Sequence, residues 1–141
     1  MVAYLDSSVI LRHILLGEES IRHALVCERV VTSELTEIEC RRVLHRYRMN
    51  GHLDDDGFVA AADRLELVLA GVSVLALSSA VKTRAMGAFP VTVKTLDALH
   101  LATAAVFAES YREHSLLLFS HDTSMNRCAV ALGYSAPLAI R

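Results

Sequence analysis

Val2-Ala3-Tyr4-Leu5-Asp6-Ser7-Ser8-Val9 opens the chain with four apolar residues, an acid, and two hydroxyl residues leading into the apolar run up to Leu16. A short apolar run that stops at a polar cluster reads as a buried strand, and serines suit the start of the helix that follows, here through Val9 to Leu16. The pattern returns near the other end. Leu116 to Phe119 is a second continuous apolar run, it stops at Ser120-His121-Asp122, and Thr123 or Ser124 opens a helix closed by Gly133.

Between these two units the same alternation continues. A helix is predicted over Ser20 to Glu28, then a short strand at Val30-Val31, with Thr32-Ser33 starting a long helix that ends near Asn50-Gly51, where glycine suits a left-handed stop. Asp54 to Asp56 place negative charge at the positive end of a helix over Asp55 to Ala70. Gly71 breaks that helix before a strand over Val72 to Leu77. Ser78-Ser79 cap a short helix to about Gly87, Thr95 caps another through Glu109, and a last short strand is expected near Leu138 to Ile140. Strands separated by helices, each too apolar to have a wet face, predict an α/β fold: a parallel sheet covered on both sides.

The 141 residues are 53% hydrophobic, enough for one compact unit with its own core, and no repeat or low-complexity linker divides them. The longest apolar stretch, Leu67 to Leu77, contains Gly71 and falls well short of the roughly 20 residues that span a bilayer. The first residues lack a basic segment and carry Asp6, so no secretory signal is expected and the cytoplasm is the predicted compartment. Cys27, Cys40 and Cys128 are odd in number and widely spaced, which argues against a disulfide framework or a thiolate zinc site; they read as small buried hydrophobes. A net charge of -2 excludes a generally basic nucleic-acid binder, so a polyanion would have to meet a local patch.

Four acids stand in places that suit a carboxylate poorly. Asp6 and Asp122 each follow the carboxyl end of a predicted strand, where open parallel sheets bind ligands. Asp97 lies in the first turn of the apolar segment Leu96-Asp97-Ala98-Leu99-His100-Leu101-Ala102-Thr103-Ala104. At about 100° per residue, Leu35, Thr36, Cys40, Val43, Leu44 and Tyr47 form one arc of the long helix, and Glu39 falls inside it, with Glu37 at its edge or beyond. Each has a structural alternative: Asp6 and Asp122 as helix caps, Asp97 as a complement to the helix dipole, Glu39 paired with Arg42 or Arg46. His100 is read as packing beside Asp97.

If the fold gathers these acids, unit charges about 4 Å apart repel by roughly 4 kcal/mol per pair at an effective dielectric of about 20, and a cation is needed. Carboxylates without clustered His or Cys select a hard ion, Mg2+ or Mn2+. Such a site activates water and stabilises charge on phosphate, so phosphodiester hydrolysis is the predicted chemistry.

Leu5-Asp6-Ser7-Ser8, Thr32-Ser33-Glu34-Leu35-Thr36 leading to Glu39, the segment Leu96 to Ala104, and Ser120-His121-Asp122 with Met125 and Ala129 together resemble the PIN-domain ribonuclease toxins of bacterial VapBC toxin-antitoxin systems. The resemblance runs through essentially the whole chain. It implies a single PIN domain over 1–141, built as a three-layer α/β/α sandwich around a central parallel sheet. It implies Asp6, Glu39, Asp97 and Asp122 as the acidic site, with Asp6 and Asp97 as direct Mg2+ ligands. Glu39 and Asp122 would bind the metal more loosely, through water, or orient the attacking water, and Ser7 and Ser120 would support the carboxylates. It further implies metal-dependent cleavage of structured RNA such as tRNA or rRNA, a homodimer, and inhibition by a small VapB-like antitoxin. The chain departs from the family where a basic residue commonly follows the last acid: here Thr123-Ser124 intervene and Arg127 comes later. Two other readings stay open, a phospho-acceptor or phosphatase-like α/β domain with Asp6 as nucleophile, and a catalytically inactive PIN-like binding module. The first lacks a second Asp two residues after Asp6, where Ser8 stands.

Overall fold

A computed structural model describes residues 1–111 and 115–139. In chain order the elements are β1 (Val2–Leu5), α1 (Ser7–Leu16), α2 (Ile21–Leu25), β2 (Arg29–Ser33), α3 (Glu34–Met49), α4 (Asp55–Ala70), β3 (Ser73–Leu75), α5 (Ser79–Ala85), α6 (Thr95–Ser110), β4 (Leu116–Phe119) and α7 (Thr123–Ala131). The strands form one sheet in the order β3-β2-β1-β4, and every neighbouring pair is parallel.

Side chains alternate between the faces of a strand, and that period sorts the core into two halves. Ala3, Leu5, Val30 and Phe119 pack with α1 to α4 on one face. Val2, Tyr4, Val31, Leu116 and Leu118 pack with α6 and α7 on the other. Covered on both sides, β1 has no face left for polar residues, which is why Val2 to Leu5 is uninterruptedly apolar. The result is the expected α/β/α sandwich.

The strand order decides where a ligand can sit. From β1 the chain steps outward through β2 to β3, then returns across the sheet to place β4 on the opposite side of β1. In open parallel sheets a reversal of this kind marks where ligands bind, here beyond the carboxyl ends of β1 and β4. The register Val2↔Leu116 to Leu5↔Phe119 continues one step further, because Asp6 N donates to Phe119 O at 3.2 Å. Asp6 is thereby set level with the Ser120-His121-Asp122 segment.

Several boundaries differ from those the sequence predicts. The helix expected over Ser20 to Glu28 shrinks to Ile21–Leu25, since Arg29 is drawn into β2 by its pairing with Val2. Thr32 and Ser33 end β2 rather than start α3; Ser33 is extended at φ −89°, ψ 151°, and caps α3 through Leu35 N. The strand over Val72 to Leu77 contracts to the three residues paired with β2. α6 starts at Thr95, but its cap position is Lys94, which makes no side-chain cap bond. The last expected strand is replaced by one parallel bridge, Leu117↔Ser135. Pro137 has no N–H with which to extend that pairing, and Ile140 lies outside the described residues. Gly51 does adopt the left-handed conformation expected of it, at φ 78°.

Cys40 and Cys128 are buried and Cys27 partly so, all as free thiols. No helix among the described residues is long and apolar enough to cross a membrane.

Candidate active site

Asp6 stands at the junction of β1 and α1. Its backbone is extended, so its side chain can turn back over the first helical turn. Oδ1 accepts from Ser8 N at 3.0 Å, Ser8 Oγ at 2.6 Å and Val9 N at 3.4 Å. The expected serine cap is therefore an aspartate cap, with a serine serving it. Ser7, expected to support the carboxylate, is half-buried at the first helical position, and the hydroxyl that reaches Asp6 from this side is Ser8's. Ser8 Oγ also accepts from His121 N at 2.9 Å, which ties the end of β1 to the segment beyond β4. His121 is partly buried and its Nε2 lies 3.3 Å from Ser20 Oγ.

On the β4 side Ser120 Oγ accepts from Asp122 N at 2.9 Å and lies near enough to Asp6 to favour its ionised form. Asp122 caps α7 through Met125 N at 2.8 Å, in place of Thr123 or Ser124, and remains exposed. For Asp6 and Asp122 alike, capping and a place on the rim are compatible, because a carboxylate has two oxygens and the cap bonds use Oδ1 alone.

Asp97 is in the first turn of α6 and half-buried. Glu39 reaches the same region from α3, where Leu35, Thr36, Cys40 and Leu44 are buried along the predicted arc. Neither Arg42 nor Arg46 pairs with Glu39 among the described ion pairs. Its partner is His100, whose Nε2 lies 2.5 Å from Glu39 Oε1. His100 Nδ1 in turn lies 2.7 Å from Tyr4 Oη. His100 is buried and meets the Tyr4 ring edge-on, so it does pack, but both its ring nitrogens are committed to the site. Glu37 faces elsewhere and pairs with Arg41 at 3.1 Å.

The electrostatics bind these residues into one neighbourhood. Burial holds the Asp6 carboxyl above the usual carboxylate range, against the opposing pull of hydrogen bonds from Ser120 and Ser8 and of the nearby His100. Asp97 is raised by burial first, then by the charges of Asp122, Asp6 and Glu39, with His100 opposing. Asp97 thus feels the other three predicted acids. Cys40, buried beside Glu39 and Asp6, is pushed up to about 12 and stays a thiol. Burial, Asp6 and Glu39 likewise hold Tyr4 in its protonated form.

An acidic cluster that disfavours its own ionisation suits a hard divalent cation in charge and in donor type. Among the described residues, no three His, Cys, Asp or Glu side chains are grouped so as to hold one ion. Mg2+ does not need three: it is commonly bound by one or two carboxylates and keeps several waters. In charge and donor type the half-buried Asp97 and the buried Asp6 suit such an ion.

Local sequence could point to Ser8, since a hydroxyl two residues after an Asp cap meets the cap carboxylate. The Tyr4–His100–Glu39 connection has no local signal, because it joins residues 96 and 61 positions apart.

The PIN domain family model matches residues 3–131. No curated protein matches the chain significantly. Among solved structures, the fold is similar to that of PAE2754 from Pyrobaculum aerophilum, at 22% identity and a TM-score of 0.62, over 99% of this chain and 83% of that one. It is similar to VapBC2 from Rickettsia felis bound to a DNA fragment from their promoter, at 12% identity and a TM-score of 0.64, over 99% and 96%. It is also similar to a toxin-antitoxin complex from Klebsiella pneumoniae, at 19% identity and a TM-score of 0.62, over 98% and 99%.

Proposed function

From the premise that the chain belongs to the PIN domain family, matched over residues 3–131, we propose that it is a metal-dependent endoribonuclease, the toxin of a type II toxin-antitoxin pair. Its reaction is hydrolysis of phosphodiester bonds in structured RNA such as tRNA or rRNA. What supports this reading is that Asp6 and Asp122 stand just past the carboxyl ends of β1 and β4, and that Asp122, Asp6 and Glu39 each raise the Asp97 carboxyl.

In this reading Asp6 and Asp97 hold Mg2+, with Mn2+ as a substitute. The ion supplies Lewis-acid stabilisation of developing phosphate charge and lowers the pKa of water at the site. Glu39 orients the attacking water and accepts its proton as the water oxygen bonds to phosphorus. The opposite phosphorus–oxygen bond breaks, and the departing oxygen takes a proton from solvent. Ser8 and Ser120 hold Asp6 in place, while exposed Asp122 acts on the water shell at the rim.

Similarity to VapBC2 and to the Klebsiella complex supports an antitoxin partner, a small VapB-like protein that covers the site. We place the whole chain, 1–141, in this role as one PIN unit, acting as a homodimer in the cytoplasm. The test is direct. The purified chain, freed of antitoxin, should cut RNA with Mg2+ or Mn2+ and stop in EDTA. Unchanged cleavage by Asp97→Ala sinks the proposal. Mapping 5′ ends in total RNA after brief induction, against Asp6→Asn, identifies the target.

A further inference from the structure

Tyr4, His100 and Glu39 come from the central strand, from α6 and from α3, and meet through contacts of 2.7 and 2.5 Å. We propose that His100 is a positioning residue for Glu39: the Tyr4 hydroxyl holds its Nδ1, and its Nε2–H fixes Glu39 as the acceptor for the attacking water. The inference rests on the hydrolytic reading above for the role of Glu39, but the hydrogen-bond relay itself can be measured without it.

The proton count gives the relay a direction. Ser33 Oγ accepts from Leu35 N at 3.0 Å, and Ser33 and Thr103 lie near enough to the Tyr4 oxygen to oppose the rise in its pKa. The Thr103 proton goes to Leu99 O at 2.7 Å. The Tyr4 hydroxyl has one proton, and its closest acceptor is His100 Nδ1. A neutral imidazole that accepts at Nδ1 must carry its proton on Nε2, and that nitrogen faces Glu39 Oε1. Oε1 is thereby anchored, and Oε2, which makes no hydrogen bond among the described residues, faces water on a side chain that is 21% exposed.

The burial of the pair explains why it can position anything. Tyr4 and His100 are 0% and 1% exposed, so neither ring can turn without disturbing the core. Glu39 alone would have several rotamers to lose on reaching a reactive pose, and partners that fix such a group in advance commonly change activity by about 10- to 100-fold.

The experiment combines imidazole 15N shifts of His100 in the full chain with RNA-cleavage kinetics in Mn2+. The expected spectrum has Nδ1 unprotonated and Nε2 protonated. Tyr4→Phe, which keeps the ring and removes the hydroxyl, and His100→Leu should lower kcat by about 10- to 100-fold with KM and the half-saturating Mn2+ concentration unchanged. His100→Gln, which keeps a donor, should recover part of the loss. On a Glu39→Gln background His100→Leu should add nothing further. An Nδ1-protonated imidazole overturns the relay; so does a full additional loss from His100→Leu on that background, or a raised Mn2+ requirement at unchanged kcat. If the unmodified chain cuts no RNA, the hydrolytic reading has failed, and the tautomer of His100 still decides the relay.

Discussion

Ser8 donates two hydrogen bonds to a single oxygen of Asp6: Oδ1 accepts from the Ser8 amide at 3.0 Å and from the Ser8 hydroxyl at 2.6 Å. The same hydroxyl accepts from His121 N at 2.9 Å, so one serine joins the cap of α1 to the strand end opposite. Ser8→Ala leaves that amide unpaired and strips a donor from a buried carboxylate. The expected cost is about 1.5–3 kcal/mol, typical of hydrogen bonds to charged groups, with a matching fall in the urea midpoint. Ser7→Ala should stay within about 0.5 kcal/mol.

Mn2+ should raise the melting temperature of the purified chain, because an ion that binds only the folded state stabilises it by mass action. At a hundredfold excess over Kd the gain is about 2.7 kcal/mol. Asp97→Asn and Asp6→Asn should each abolish the shift, whereas Glu37→Gln should not. Differential scanning fluorimetry with and without EDTA reads the difference.

Asp97 predicts a pH dependence of definite sign. Its carboxyl is raised in the folded state by burial and then by Asp122, Asp6 and Glu39, so the fold favours the protonated form. Stability is therefore lost as pH rises from the ordinary aspartate range, about 3.9, through the raised folded value. Without metal, Asp97→Asn should be more stable than the unmodified chain at neutral pH, and the gap should close on acidification. Urea melts at several pH values measure it. A gap independent of pH contradicts the assignment.

Glu37 and Glu39 lie two residues apart on α3 and should behave oppositely. Glu37→Gln breaks an exposed pair with Arg41, worth about 0–1 kcal/mol, and leaves cleavage intact. Glu39→Gln removes the proton acceptor and should lower kcat by about 10²- to 10⁴-fold. Equal effects in single-turnover assays would show that the helix phase has been misassigned.

Much of the fold was legible because its determinants are local. A four-residue apolar run ending at Asp6, and another ending before Ser120, announce strand ends wherever they lie in a chain, and the 3.6-residue period of α3 separates Glu39 from Glu37 without any knowledge of neighbours. Boundaries failed where pairing overrode local preference. Thr32 and Ser33 look like a helix start, yet Thr32 Oγ1 donates to Leu5 O at 2.6 Å and the β2–β3 ladder continues through Ser33↔Leu75.

The sequence by itself determined the alternation of apolar strands and helices, the four acids, and the rim on which two of them had to fall, since each of these follows from periodicity within a few residues. Only the tertiary structure decided that Ser8 rather than Ser7 serves Asp6, and that Glu39 is held by His100 rather than by a neighbouring arginine. The physical reason is geometric. Hydrogen bonds between residues 61 and 96 positions apart depend on strand order and on which helices cover which face, and those are set by the packing of the whole core, not by any one segment.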